Sequence, residues 1–139
     1  MSISGGEGKT PLTDYFVAQK RERCGPYLGI NAVRDFHTAC RINIEEDVPI
    51  RFTHSDLSPP NILISPGPNP KVVGIIDFGQ AGWLPSYWEY AKATRSGIVE
   101  ANFDFGLQEE WTEVYLPKIH DIPKEEWFDQ WILFYLRNI

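Results

Sequence analysis

The sequence contains no long hydrophobic run and few cysteines. No apolar stretch approaches the roughly 20 residues that a membrane-spanning helix needs, and residues 1–10 lack the apolar segment of a signal peptide. Its two cysteines, Cys24 and Cys40, are too few for a disulfide framework and show no zinc-binding spacing. We therefore expect a cytoplasmic protein with reduced thiols and no membrane attachment.

Basic residues are scarce relative to acidic ones. The chain has 139 residues, with 13 Lys and Arg against 19 Asp and Glu, and a formal net charge of −6. Because phosphate backbones and anionic lipids bind surfaces rich in Lys and Arg, this balance argues against nucleic-acid and membrane partners. The acidic excess would suit a cationic small molecule, but it is equally compatible with a role in solubility alone.

A glycine-rich phosphate-binding loop is also absent. Gly8-Lys9-Thr10 resembles the end of a Walker A loop, but Ile3 stands where that loop requires its first glycine. Residues 1–10 hold three glycines and two serines and are expected to be disordered or loosely held. We interpret residues 1–24 as a tail and linker, partly disordered, and residues 25–139 as one domain.

The remaining composition is that of a folded domain, with 42% hydrophobic and 14% aromatic residues. Hydrophobic spacing and turn residues predict an α+β fold in which helices dominate. Ser86 and Glu89 have the spacing of a capping box at the start of a helix. The apolar strand Val72–Ile76 is expected to be buried. The other predicted elements are a helix from Asn31 to Arg41, strands Ile50–Thr53 and Ile62–Ile64, a helix Leu107–Leu116 ended by Pro117, and a helix Lys124–Arg137.

The most informative stretch is Phe52–Gly82, which reads H-x-D-x(4)-N, a strand, a turn, a strand and D-F-G. Phosphoryl transfer to a hydroxyl needs a carboxylate near the proton of the nucleophile and hard oxygen ligands for Mg²⁺. Asp56 can supply the first, and Asn61 and Asp77 can supply the second. Antiparallel strands return to their starting point, so the hairpin is expected to bring Asn61 and Asp77 side by side.

This stretch resembles the catalytic segment of the aminoglycoside phosphotransferase and choline kinase group, which has a protein-kinase-like fold. Its amino-acid sequence is similar to that of the fungal branch of the group in four segments: Phe52–Leu57, Asn61–Leu63, Gly74–Asp77 and Ala81–Ala93. The resemblance covers roughly residues 25–137. It implies an ATP- and Mg²⁺-dependent transferase, a kinase whose acceptor is a hydroxyl of a small molecule.

The resemblance also implies residue roles. Asp56 would be the catalytic carboxylate, and Asn61 and Asp77 would hold Mg²⁺ and, through it, ATP. His54 would support the loop, and Glu89 would help to fix the following helix. Ser55 stands where the group usually has Gly.

The nucleotide-binding lobe of such kinases has no counterpart in residues 1–51, which contain neither G-x-G-x-x-G nor a Val-Ala-x-Lys strand. The expected fold is therefore a mainly helical C-terminal lobe with a few short strands around the catalytic loop. A truncated, non-catalytic remnant or binding module is an alternative to the enzyme, and a metal-dependent hydrolase is a third. A lobe without its partner would expose apolar surface, which predicts self-association or binding of an N-terminal lobe.

Overall fold

The computed structural model describes residues 1–95 and 105–139, and the fold is α+β as predicted. Two small antiparallel sheets and a set of helices surround an aromatic core. The strands are β1 (Ser2–Gly5), β2 (Tyr27–Leu28), β3 (Ile50–Thr53), β4 (Ile62–Ile64), β5 (Val72–Ile75) and β6 (Gly82–Pro85). The helices are α1 (Ala32–Cys40), α2 (Trp88–Ala93), α3 (Phe105–Glu110), a π-helical segment (Trp111–Tyr115), α4 (Leu116–Ile119) and α5 (Glu125–Asn138), with 3-10 turns at Val17–Gln19, Arg21–Arg23 and Pro59–Asn61.

The N-terminal residues form an interior strand of the larger sheet, whose order is β2-β1-β6-β3. Ile3 and Ser4 are fully buried, and Ser4 pairs with Trp83 across the sheet. The structure thus differs from the expectation that residues 1–10 are disordered. The high Gly and Ser content of this segment led to the prediction of disorder. Its one buried apolar side chain, Ile3, and the pairing of β1 with both β2 and β6 keep the segment ordered.

The smaller sheet is the hairpin β4–β5, in the register Ile62↔Ile75 and Leu63↔Gly74. The strand predicted over Val72–Ile76 forms, but the prediction that it is buried was wrong. Val72 and Val73 are 63% and 66% exposed. An apolar run indicates burial only when another layer covers it. In this hairpin Ile62 packs against a buried cluster, whereas Val72 and Val73 remain exposed.

The core is built from rings contributed by α1, α2, α5 and the N-terminal segment. Trp88 of α2 and Trp131 of α5 are fully buried and meet edge to face, with centroids 6.0 Å apart at 88°. Phe16 packs against the Trp131 ring in the same cluster. Residues 1–24 therefore share their core with the rest of the chain, instead of forming a separate tail.

The predicted helices form, but two of their ends differ from the prediction. The helix after Asn31 forms, although the Asn31 side chain makes no capping hydrogen bond. No capping box forms at Ser86, because α2 begins at Trp88 and Glu89 binds elsewhere. Pro117 does not end its helix, which continues to Ile119 after the π segment. A π turn changes which carbonyl the proline ring would meet, so the chain can stay helical.

Two further findings concern the whole described chain. Cys24 and Cys40 are free thiols. None of the helices within residues 1–95 and 105–139 is long and apolar enough to cross a membrane.

Candidate functional site

The loop after β3 is anchored by Glu89, in the first turn of α2. The backbone N–H groups of His54 and Ser55 donate to its two carboxylate oxygens, the second over 3.1 Å. Burial raises the pKa of Glu89, and the two N–H groups partly offset this effect. Glu89 therefore fixes the loop after β3 to α2.

The His54 side chain links the same loop to the end of β5. Its Nδ1 accepts the Asp56 backbone N–H at 3.1 Å, so Nε2 carries the proton and donates to the Ile76 carbonyl at 2.8 Å. The ring also meets Phe78 edge to face, at 4.5 Å between centroids. His54 thus connects the loop after β3 to the residues that follow β5.

Asp56 and Asn61 lie at opposite ends of that loop and are joined directly. Asn61 Nδ2 donates to the Asp56 carbonyl at 2.8 Å and to its carboxylate at 3.3 Å. The Ile76 N–H donates to the Asn61 carbonyl at 2.9 Å, so the hairpin brings Asn61 beside the residue that precedes Asp77. The predicted return of the hairpin to its start is confirmed in the backbone.

The charges of the site act on one another. Burial raises the pKa of Asp56, and the nearby Asp77 carboxylate raises it further. Lys92 and the Asn61 hydrogen bond act in the opposite direction. Asp56 and Asp77 are therefore close enough to interact electrically, although Asp77 itself is exposed.

The donor set at the base of the hairpin fits Mg²⁺. Because the Asn61 amide nitrogen donates to Asp56, its Oδ1 could serve as a ligand, and Asp77 could add a carboxylate. One or two carboxylates with further oxygens are the ligands that Mg²⁺ takes at phosphate-transfer sites. Within the described residues there is no cluster of three or more His, Cys, Asp or Glu that would favour a different metal site.

Three residues near the site escaped the sequence analysis. Asp14 lies in the segment that was interpreted as a linker. Lys92 lies in the Ala81–Ala93 motif without an assigned role, and Gln80 lies between two of the motifs. The structure joins them: Lys92 Nζ contacts Asp14 Oδ2 and Gln80 Oε1, each at 2.7 Å. The one local signal was the ability of an Asp to accept the backbone N–H groups two and three residues later, as Asp14 does with Phe16 and Val17.

Two cavities lined by described residues lie elsewhere. One, of about 610 Å³, is lined by residues 43–46 and the first turns of α5, and the other, of about 730 Å³, by residues 6–9 and β3. Neither includes Asp56, Asn61 or Asp77. We locate the site by its oxygen donors, because a concave surface alone carries no chemistry.

Comparisons with known proteins identify the family of the chain. No characterised protein and no solved structure shows significant similarity to the chain. A family description does match, that of the phosphotransferase enzyme family, and it covers residues 7–128, which include both halves of the site. The chain therefore belongs to the phosphotransferase enzyme family.

Proposed function

We propose that this chain carries the catalytic loop and metal site of an ATP- and Mg²⁺-dependent phosphotransferase that acts on a small-molecule hydroxyl. The observation that carries the proposal is the joining of Asp56, Asn61 and the end of β5 at the base of one hairpin. We also propose that the fold is a kinase-like C-terminal lobe of the fungal type, an interpretation that rests on the sequence resemblance of Phe52–Leu57 and Ala81–Ala93. The identity of the acceptor depends on side chains that fold and family do not fix.

Asp56 orients the acceptor hydroxyl and accepts its proton as the hydroxyl oxygen forms a bond to the γ-phosphorus of ATP. The bond between that phosphorus and the β–γ bridging oxygen breaks, and ADP leaves with the electron pair. Asn61 and Asp77 would hold Mg²⁺, which when bound neutralises charge on the phosphates. His54 and Glu89 keep the loop in place through the contacts described above.

A non-catalytic binding module is the second candidate. The feature that favours it is the lack, in residues 1–51, of a glycine-rich loop and of the Val-Ala-x-Lys strand whose lysine grips the phosphates in kinases. On this alternative, the chain would retain the lobe and its site without transferring phosphate.

Calorimetric titration of the chain with Mg²⁺·ATP tests whether the site binds metal and phosphate, which the enzyme requires. We expect micromolar to low-millimolar binding, and we expect Asp77→Asn to abolish most of it because the metal loses its carboxylate. Lys71→Met, in the turn of the hairpin, is the control and should bind as the wild type does. No binding heat from a chain that circular dichroism shows to be folded would contradict the enzyme proposal and leave the binding module.

A further inference from the structure

The buried carboxylate of Asp14 organises the N-terminal segment. Asp14 is fully buried, and four donors satisfy its two oxygens. Oδ1 accepts the backbone N–H groups of Phe16 and Val17, at 2.9 and 3.1 Å. Oδ2 accepts Trp88 Nε1 at 3.0 Å and Lys92 Nζ at 2.7 Å. A buried charge needs this degree of pairing, so the segment is held firmly against α2.

Lys92 extends this cluster to the segment that follows Asp77. Its ammonium also donates to Gln80 Oε1 at 2.7 Å, and the same oxygen accepts the Tyr15 backbone N–H at 2.7 Å. One residue earlier, the Gly79 carbonyl accepts the Thr13 hydroxyl at 3.0 Å. Three hydrogen bonds therefore fasten Gly79 and Gln80 to residues 13–15 and to α2.

Asp77 is held through its neighbours along the chain. Its side chain is exposed, and its backbone has the left-handed φ of 64° that non-glycine residues adopt at a cost of about 1 kcal/mol or more. Such a conformation persists only when its surroundings determine it. On one side these surroundings are the hydrogen bonds of Ile76 with Asn61 and His54. On the other side they are the ring contact of Phe78 with His54 and the contacts of Gly79 and Gln80.

We propose that Lys92 is a positioning residue for the Asp77 metal site, acting through Gln80 and anchored by Asp14. The inference rests on the proposed function, because it takes Asp77 to be a metal ligand. The proposal also gives the N-terminal segment a role in the site, because Asp14 binds Lys92 and the Tyr15 backbone N–H binds Gln80. Groups that orient a metal ligand from behind commonly change metal affinity by about 10- to 100-fold when they are removed.

Mn²⁺ binding, followed by electron paramagnetic resonance, tests the proposal without any need for activity. Gln80→Leu removes the link to the loop and leaves the Lys92–Asp14 pair intact, and we expect it to weaken Mn²⁺ binding about tenfold. Gln80→Glu retains an acceptor oxygen and should restore affinity to at least the wild-type level. Hydrogen exchange at the Ala81 amide, which bonds to the Phe78 carbonyl, should accelerate in Gln80→Leu and not in Gln80→Glu.

Lys92→Met is the second test, measured beside Lys124→Met, which removes the same charge from an exposed pair with Glu46. Lys92→Met leaves Asp14 buried without its partner. If the Lys92→Met variant does not fold for this reason, Gln80→Leu alone provides the test.

An equal loss of Mn²⁺ affinity in both lysine variants would show that the effect comes from net charge alone and would overturn the proposal. Unchanged affinity in Gln80→Leu would also overturn it while leaving the proposed function standing. Absence of Mn²⁺ binding in the wild type would overturn both.

Discussion

At the scale of single residues, the site contains two non-glycine residues in the left-handed region, Ser55 with φ 68° and Asp77 with φ 64°. Asp adopts this region more readily than most residues, whereas Ser gains nothing comparable. The Ser55 hydroxyl is buried and finds no hydrogen-bond partner among the described residues. A glycine at this position would avoid both costs.

We therefore expect Ser55→Gly to stabilise the chain by about 1 kcal/mol. Relief of the left-handed conformation returns about 1–2 kcal/mol, and the added backbone entropy of glycine removes about 0.5–1 kcal/mol. Removal of the unpaired hydroxyl adds to the gain. Ser55→Ala removes only the hydroxyl and should gain less, as measured by urea unfolding. An alanine variant as stable as the glycine variant would show that the backbone at this position is not strained.

At the scale of elements, the larger sheet depends on a close approach between β1 and β6. A Cβ atom at Gly82 would lie 2.7 Å from the Ser4 carbonyl oxygen, a backbone atom that cannot move without disturbing the pairing. Gly74 in β5 has room, since its nearest atom would be Leu63 Cδ1 at 3.7 Å. The two glycines thus differ only in what surrounds them, a difference that the sequence does not reveal.

Gly82→Ala should destabilise the chain by about 2 kcal/mol, the usual cost of an overpacked position. Gly74→Ala is the matched control and should be close to neutral in thermal unfolding. Amide exchange in β1 should accelerate in the first variant alone. Equal stability of the two variants would show that β1 and β6 can separate without loss.

At the scale of the whole molecule, the hairpin β4–β5 is an exposed apolar surface beside the site. Seven large side chains on it or next to it are between 44% and 66% exposed: Leu63, Ile64, Val72, Val73, Ile75, Ile76 and Phe78. Apolar patches above about 400 Å² usually mark interaction sites. The strands Ile62–Ile64 and Val72–Ile75 carry no charged residue that would guard their edges. We propose that a second copy of the chain covers this surface.

Sedimentation velocity over a range of concentrations tests this association. The wild type should form dimers, and Ile64→Lys combined with Val73→Lys should remain monomeric because two charges cannot be buried unpaired. Ile122→Lys, at a residue 64% exposed but away from the hairpin, is the control and should behave as the wild type does. A wild type that stays monomeric at high concentration would contradict the proposal and leave an N-terminal lobe as the partner to seek.

Much of the site followed from the sequence because its contacts are local. Asn61 and Asp77 flank one hairpin, and a hairpin returns to its start whatever surrounds it. The helix over α5 was likewise determined by its own apolar spacing. The hydrogen-bond partner of Glu89 was not predictable from the sequence. The spacing between Ser86 and Glu89 fits a capping box equally well, and only the packing of α2 against the loop determines which contact Glu89 makes.

By itself, the sequence determined the family, the order of most elements and the three oxygen donors of the candidate site, since these depend on motifs and on neighbours along the chain. Tertiary structure alone decided that residues 1–24 join the core, that β5 is exposed, and that Asp14, Gln80 and Lys92 meet behind Asp77. The Asp14–Lys92 pair spans 78 residues. Contacts at that separation leave no periodic trace in a sequence, because they depend on how elements pack together and not on how each one forms.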